Sequence, residues 1–171
     1  LPYDVTYLGI EEGDFTEGNC TCENCKAAEL KYGKRVGGCW IEFANRVSSA
    51  LKDEFPNVTF KTFAYLSSKR PPVNIKANDN VAVHYCAWGQ RFGLAYSDPR
   101  NKSGQELINE IKGWKKVAKH ILVWDYVACM GSLLSNADNL QNIDNMKLFR
   151  DLGVEGVFPE GTASESIGIY G

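Results

Sequence analysis

Ile121-Leu122-Val123-Trp124-Asp125-Tyr126 is a short apolar run that ends on a carboxylate between two aromatic rings. A compact run of this kind reads as a buried strand. A carboxylate at its end is hard to read as random surface, because burying a charge without partners is costly. The stretch therefore predicts a strand from Ile121 to Tyr126 with polar chemistry at its C-terminal end.

Four more runs have the same character. Val5 to Ile10, Thr59 to Leu66, Asn80 to Cys86 and Val154 to Phe158 read as strands. Helical spacing lies between most of them. From Cys39 to about Phe55, residues Trp40, Phe43, Ala44, Val47, Ala50 and Leu51 fall on one face, with Glu42, Arg46, Lys52 and Asp53 mostly elsewhere. Ser103-Gly104-Gln105-Glu106 reads as a capping box that opens a helix through Leu107, Ile111, Trp114 and Ala118. Ile143, Met146, Phe149 and Leu152 mark another helix, stopped at Gly153. Asp14 is followed by a Gly- and Cys-rich loop. The 13 residues between the second and third strands contain Pro71-Pro72 and no clear helix. Gly161 to Gly171 reads as loose or edge-forming.

Apolar strands separated by helices predict an α/β fold with a parallel sheet covered by helices. An open doubly wound sheet and part of an eight-stranded barrel both fit. Gly37-Gly38 lacks the spacing of a dinucleotide fingerprint and follows a loop rather than a strand, which weighs against nucleotide binding.

The 171 residues suit one domain, and with 44% hydrophobic and 23% charged residues they suit a globular core. The net charge of −2, without a block of like charges, argues against a nucleic-acid partner. No segment supplies the roughly 18 to 20 apolar residues of a membrane span. The chain opens on Leu1-Pro2 without a signal peptide and enters a strand almost at once, so it reads as a piece of a longer protein.

In barrels, chemistry gathers at the C-terminal ends of strands. Those ends carry Glu11, Glu12 and Asp14; Tyr65 and Ser67; His84 and Tyr85; Trp124, Asp125 and Tyr126; and Glu160. Glycosidic cleavage uses such a set: one acid protonates the departing oxygen while a second carboxylate attacks, stabilises or orients. Aromatic neighbours raise the acid's pKa and offer flat apolar faces to sugar rings.

Six cysteines are present, three of them in Cys20-Thr21-Cys22-Glu23-Asn24-Cys25, with Cys39 fourteen residues further on. Four thiolates could form a structural zinc site, and disulfides are the competing reading. Cys20 and Cys22 are too close in sequence to pair comfortably with each other. Asn19, Asn57 and Asn101 begin glycosylation sequons.

An ordered set of motifs then stands out: Asp14; the cysteine triplet; Trp40 to Val47; Thr62-Phe63-Ala64-Tyr65; Pro71-Pro72; Asn80 to Val83; Trp114; Val123-Trp124-Asp125-Tyr126; and Gly153 to Phe158. In this order the chain resembles the domain of unknown function 4838 family, which includes glycoside hydrolase family 163. The resemblance covers about Val5 to Gly161. It implies a (β/α)8 TIM-type barrel, of which residues 1–171 would be the C-terminal part, with about five βα units present and the upstream units supplied by the parent chain. It also implies endo-β-N-acetylglucosaminidase-like activity in a secreted, periplasmic or cell-surface bacterial parent, with no required cofactor.

On this reading Asp125 and Glu160 are the first candidates for catalytic carboxylates and Asp14 the next. Glu12, Tyr65, His84, Trp124 and Tyr126 would bind a glycan. Pro159 displaces Glu160 from where the family's last strand-end acid is expected. Two rivals are a non-catalytic glycan-binding barrel and a zinc-stabilised interaction domain.

Overall fold

The computed structural model describes residues 7–14, 20–33, 36–88, 93–127 and 139–160. The start of the first predicted strand, the Gly161 to Gly171 tail, Asn19 and Cys129 lie outside them. The elements in chain order are β1 (Tyr7–Gly9), α1 (Glu23–Lys31), α2 (Val36–Leu51), β2 (Thr59–Ala64), a 3-10 turn (Leu66–Ser68), β3 (Val81–Cys86), α3 (Lys102–Trp114), β4 (His120–Tyr126), α4 (Asn139–Asp151) and β5 (Gly156–Glu160).

The five strands form one sheet in the order β1-β2-β3-β4-β5, and every neighbouring pair is parallel. A doubly wound sheet reverses its strand order at a switch point. This order never reverses, and the sheet curls into a half-barrel compatible with part of a βα barrel.

Side chains alternate across a strand, and burial follows that alternation. Phe60 and Ala64 of β2, Val83 and Tyr85 of β3, and Ile121 and Val123 of β4 are fully buried on one face. That face packs against Ile41 of α2, Leu107, Ile111 and Trp114 of α3, and Phe149 of α4. β3 is buried along its whole length, as the middle strand of the sheet. Trp114 anchors this layer: it is 1% exposed and its Nε1 donates to the Lys69 carbonyl at 2.8 Å.

Three local features differ from the sequence expectation. α1 occupies part of the expected Cys-rich loop. None of its residues is buried, so it carries no apolar periodicity to read. α3 is capped by Asn101 rather than Ser103. The Asn101 side chain accepts from the Gly104 N–H at 2.9 Å, while Ser103 lies inside the first turn and its hydroxyl donates to Asn101. Asn101 is fully buried, which closes its sequon to a glycan in the folded state. Gly37-Gly38 serves packing. A Cβ on Gly38 would sit 2.3 Å from Cβ and Cγ of Tyr32, the residue that ends α1.

The expected stop at Gly153 is present, with φ +74° and the Val154 N–H bonded back to the Phe149 carbonyl at 3.0 Å. The β2–β3 connection contains only the 3-10 turn as regular structure. Side chains tie it down. Asn45 of α2 donates to the Lys76 carbonyl and accepts from the Asn78 N–H, both at 2.8 Å, and Asn78 donates back to the Asn45 carbonyl at 3.1 Å.

Candidate active site

The sheet face away from the helices ends in a cleft of about 370 Å³. Asp14, Phe63, Tyr65, Cys86, Trp88, Trp124, Tyr126 and Glu160 line it. These residues come from beyond the C-terminal end of β1, from the ends of β2, β3 and β4, and from β5. The alternation that sends Ile121 and Val123 to the helices sends Trp124 and Tyr126 to this side.

Aromatic rings form the floor and walls. Trp124 meets Phe158 edge-on at 4.6 Å and Phe63 at 5.8 Å between ring centroids. Tyr126 meets Trp88 at 5.2 Å. Trp88 remains 44% exposed and presents its indole to solvent at the rim. The Trp124 indole N–H donates to Glu160 Oε2 at 2.6 Å, which fixes that carboxylate in the cleft. Tyr65 lies beside Asp14. Burial first, and then the Asp14 charge, raise its phenol above the usual tyrosine range. Tyr126 is raised as well, by burial first and then by nearby acidic groups. Both phenols are therefore neutral donors near pH 7.

Asp125 stands elsewhere. It follows Ile121 and Val123 onto the helix-facing side, where it is 1% exposed. The Tyr96 hydroxyl donates to its Oδ1 at 2.5 Å, and the Tyr96 N–H donates to Asn145 of α4 at 2.8 Å. Burial raises its pKa, opposed by Tyr96 and the Tyr126 N–H. Among the described residues its Oδ2 has no hydrogen-bond partner. Asp125 thus joins β4 to the Tyr96 loop and through it to α4. It does not reach the cleft, because a sheet places adjacent residues on opposite faces.

His84 and Glu12 also lie outside the cleft lining. His84 is 5% exposed and sits against Phe63 and Trp124, with ring centroids 5.5 and 5.7 Å away. Burial, aided by Lys61, lowers its pKa to about 4, so the ring is neutral near pH 7. Lys61 Nζ is 3.4 Å from His84 Nδ1 and pairs with Glu11 at 2.8 Å. Glu12 accepts hydrogen bonds from Ser68 and Ser67, and Ser68 in turn accepts from the Tyr65 N–H at 3.1 Å. Glu12 therefore braces the turn that carries Tyr65. Its pKa is raised by burial, against the pull of those hydroxyls. Leu66, next to Tyr65, has φ +41°, a conformation a branched residue adopts only under constraint.

Phe63, Cys86 and Trp88 were not among the sequence candidates. The signal was parity, since Cys86 and Trp88 continue the face of His84. The Cys86 thiol is pushed up to about 12, chiefly by burial, so it lines the cleft as a small neutral group.

A family model described as domain of unknown function (DUF4838) matches residues 3–168, nearly the whole chain. The chain belongs to this family. No match was found among curated proteins or among solved structures.

The fold brings the cysteine triplet together. The sulfurs of Cys20, Cys22 and Cys25 all lie within 4.8 Å of one another at the start of α1. Cys39, the fourth thiol of the sequence expectation, is not in that group. It sits in the first turn of α2, half-buried, with its thiol raised by burial first and then by Glu42 and Glu29. Cys22 is lowered to about 7, chiefly by the nearby Cys25 backbone amide. Among the described residues, no helix is long and apolar enough to cross a membrane.

Proposed function

We propose that this chain is the C-terminal part of a (β/α)8 TIM-type barrel glycoside hydrolase. Its substrates would be glycans with β-linked N-acetylhexosamine, cleaved internally as in the glycoside hydrolase family 163 branch. One observation carries the reading: two carboxylates, Asp14 and Glu160, line one aromatic cleft at the C-terminal ends of the strands.

The chemistry follows from that set. Trp88 and Tyr126 offer faces on which apolar sugar faces stack. One carboxyl group protonates the departing glycosidic oxygen. The other stabilises the sugar cation, attacks it, or orients the substrate's own acetamido oxygen for attack. Tyr65, held by the Glu12-Ser68 brace, donates to a carboxylate or sugar oxygen as a neutral phenol. Asp125 supports β4 from behind and takes no direct part.

The full-length protein that carries this chain, incubated with a complex N-glycoprotein, should release glycans and leave a single N-acetylglucosamine on the protein, as read by mass spectrometry. Glu160→Gln and Asp14→Asn should each lower turnover by about a hundredfold or more. Tight glycan binding without release would favour a non-catalytic barrel, a reading supported by the engagement of Glu160 with Trp124. Absence of both release and binding would overturn the glycan assignment.

A further inference from the structure

α1 raises a question that the cleft does not answer. It has nine residues, none of them buried, and Cys22 at its N-cap makes no side-chain capping bond. A polar helix of this length is not stable by its own propensity. Yet it leads directly into Tyr32, which is 1% exposed, packs on Gly38 at the start of α2 and donates to Glu42 at 2.6 Å. Asn74 and the Val73 N–H tie down the C-terminal end of α1 through the Lys31 and Tyr32 carbonyls, at 3.1 and 3.3 Å, while its N-terminal end has no such tie to the rest of the fold among the described residues.

The three thiols stand where such a tie would act. Cys20 and Cys22 lie before the helix and Cys25 in its first turn, with all three sulfurs free and within 4.8 Å of one another. A tetrahedral zinc ion with bonds of about 2.3 Å sets its sulfur ligands roughly 3.8 Å apart. Closing that difference takes rotations of about 1 Å by side chains that are exposed or half-exposed. A disulfide would draw two sulfurs to about 2.05 Å and leave the third unused. Thiolates also gain from the positive end of a helix.

We propose that Cys20, Cys22 and Cys25 form a three-thiolate site for a divalent zinc-type cation that fixes α1 to the chain before it. Binding exchanges protons for metal: three thiols and one dication give a tris-thiolate complex of net charge −1, with release of three protons. No electron is transferred. The fourth coordination position is left to solvent or an added ligand. The site is structural in effect, since it lies apart from the cleft lining, and it stands independently of the glycosidase reading.

The test uses the full-length protein with reduced thiols, titrated with Zn²⁺ alone against a chromophoric chelator. Binding of one ion should protect Cys20, Cys22 and Cys25 from alkylation, as mapped by peptide mass spectrometry, while Cys39 is alkylated at an unchanged rate. Each of Cys20→Ser, Cys22→Ser and Cys25→Ser should weaken binding by more than about a hundredfold, beyond the loss of an outer-shell partner. Cys39→Ser should leave it unchanged. Hydrogen exchange of the α1 amides should slow when zinc is added. Zinc that fails to protect the three thiols, or affinity that survives their substitution, overturns the proposal. A disulfide within the triplet that persists under reduction overturns it as well.

Discussion

Replacing Asp125 by asparagine separates a supporting carboxylate from a catalytic one. Asn preserves the shape and keeps an oxygen to accept from the Tyr96 hydroxyl, now 2.5 Å from Oδ1. It also puts a buried NH2 where Oδ2 has no partner among the described residues. An unsatisfied buried donor costs about 1–3 kcal/mol, while removal of a buried charge works the other way. Asp125 has a folded-state pKa above its ordinary value, because burial disfavours the ion. Its neutral form is therefore the one the fold prefers. The corresponding stability is fully present below the unfolded pKa of about 3.9 and is lost as pH rises through the folded value. Groups shared by both proteins, His84 among them, cancel in the difference. Asp125→Asn should thus be more destabilising near pH 4 than at pH 7, by urea denaturation across that range. Turnover at neutral pH should stay within a few-fold of the parent. A turnover loss of about a hundredfold with the fold intact would return Asp125 to the reacting groups. A stability difference that shrinks on acidification would refute the account of its burial.

Three further outcomes follow from the packing. Gly38→Ala drives a methyl into Cβ and the ring of Tyr32, both 2.3 Å away, and should cost about 1–3 kcal/mol by denaturation, with the added loss from Gly38→Ala smaller in a Tyr32→Gly background, where both atoms are gone. Trp114→Ala removes the anchor of the helix layer and should cost about 3–5 kcal/mol, measurable in the same way. Trp88→Ala removes an exposed stacking face and should raise KM for a glycan substrate severalfold with little change in stability, as read by steady-state kinetics and a thermal melt.

The strand–helix order could be read from apolar spacing alone, and all five expected strands exist within a few residues of their expected ends. α1 could not, because a helix that buries nothing leaves no periodic stripe. Asp125 shows what strand-end reading leaves out, namely which face of the sheet a side chain takes. Its position at the end of β4 was right, but its neighbours Ile121 and Val123 already marked it as a helix-facing residue. Chemistry nominated Asp125 while parity nominated Trp124 and Tyr126. Extending the same parity along β3 leads from His84 to Cys86 and Trp88, which the sequence reading stopped short of. Asp14 lies beyond any periodic segment, so only the fold shows that it reaches the cleft of Glu160.

Asp14 follows β1 and Glu160 ends β5, so the two acids flank a sheet whose β2, β3 and β4 lie between those outer strands. The gap between the two acids therefore depends on how tightly the sheet bends, as the opening of a caliper depends on its hinge, and on the segment that carries Asp14 beyond β1. In glycoside hydrolases a spacing of about 5 Å leads to retention of anomeric configuration, and a spacing of about 6.5–9.5 Å leads to inversion. In a glycosidase of the proposed kind, curvature adjusted by a larger or smaller side chain on β3 would move the pair along that scale with both acids unchanged. On the proposed glycosidase reading, stereochemistry would be a property of the middle of the sheet as much as of its edges.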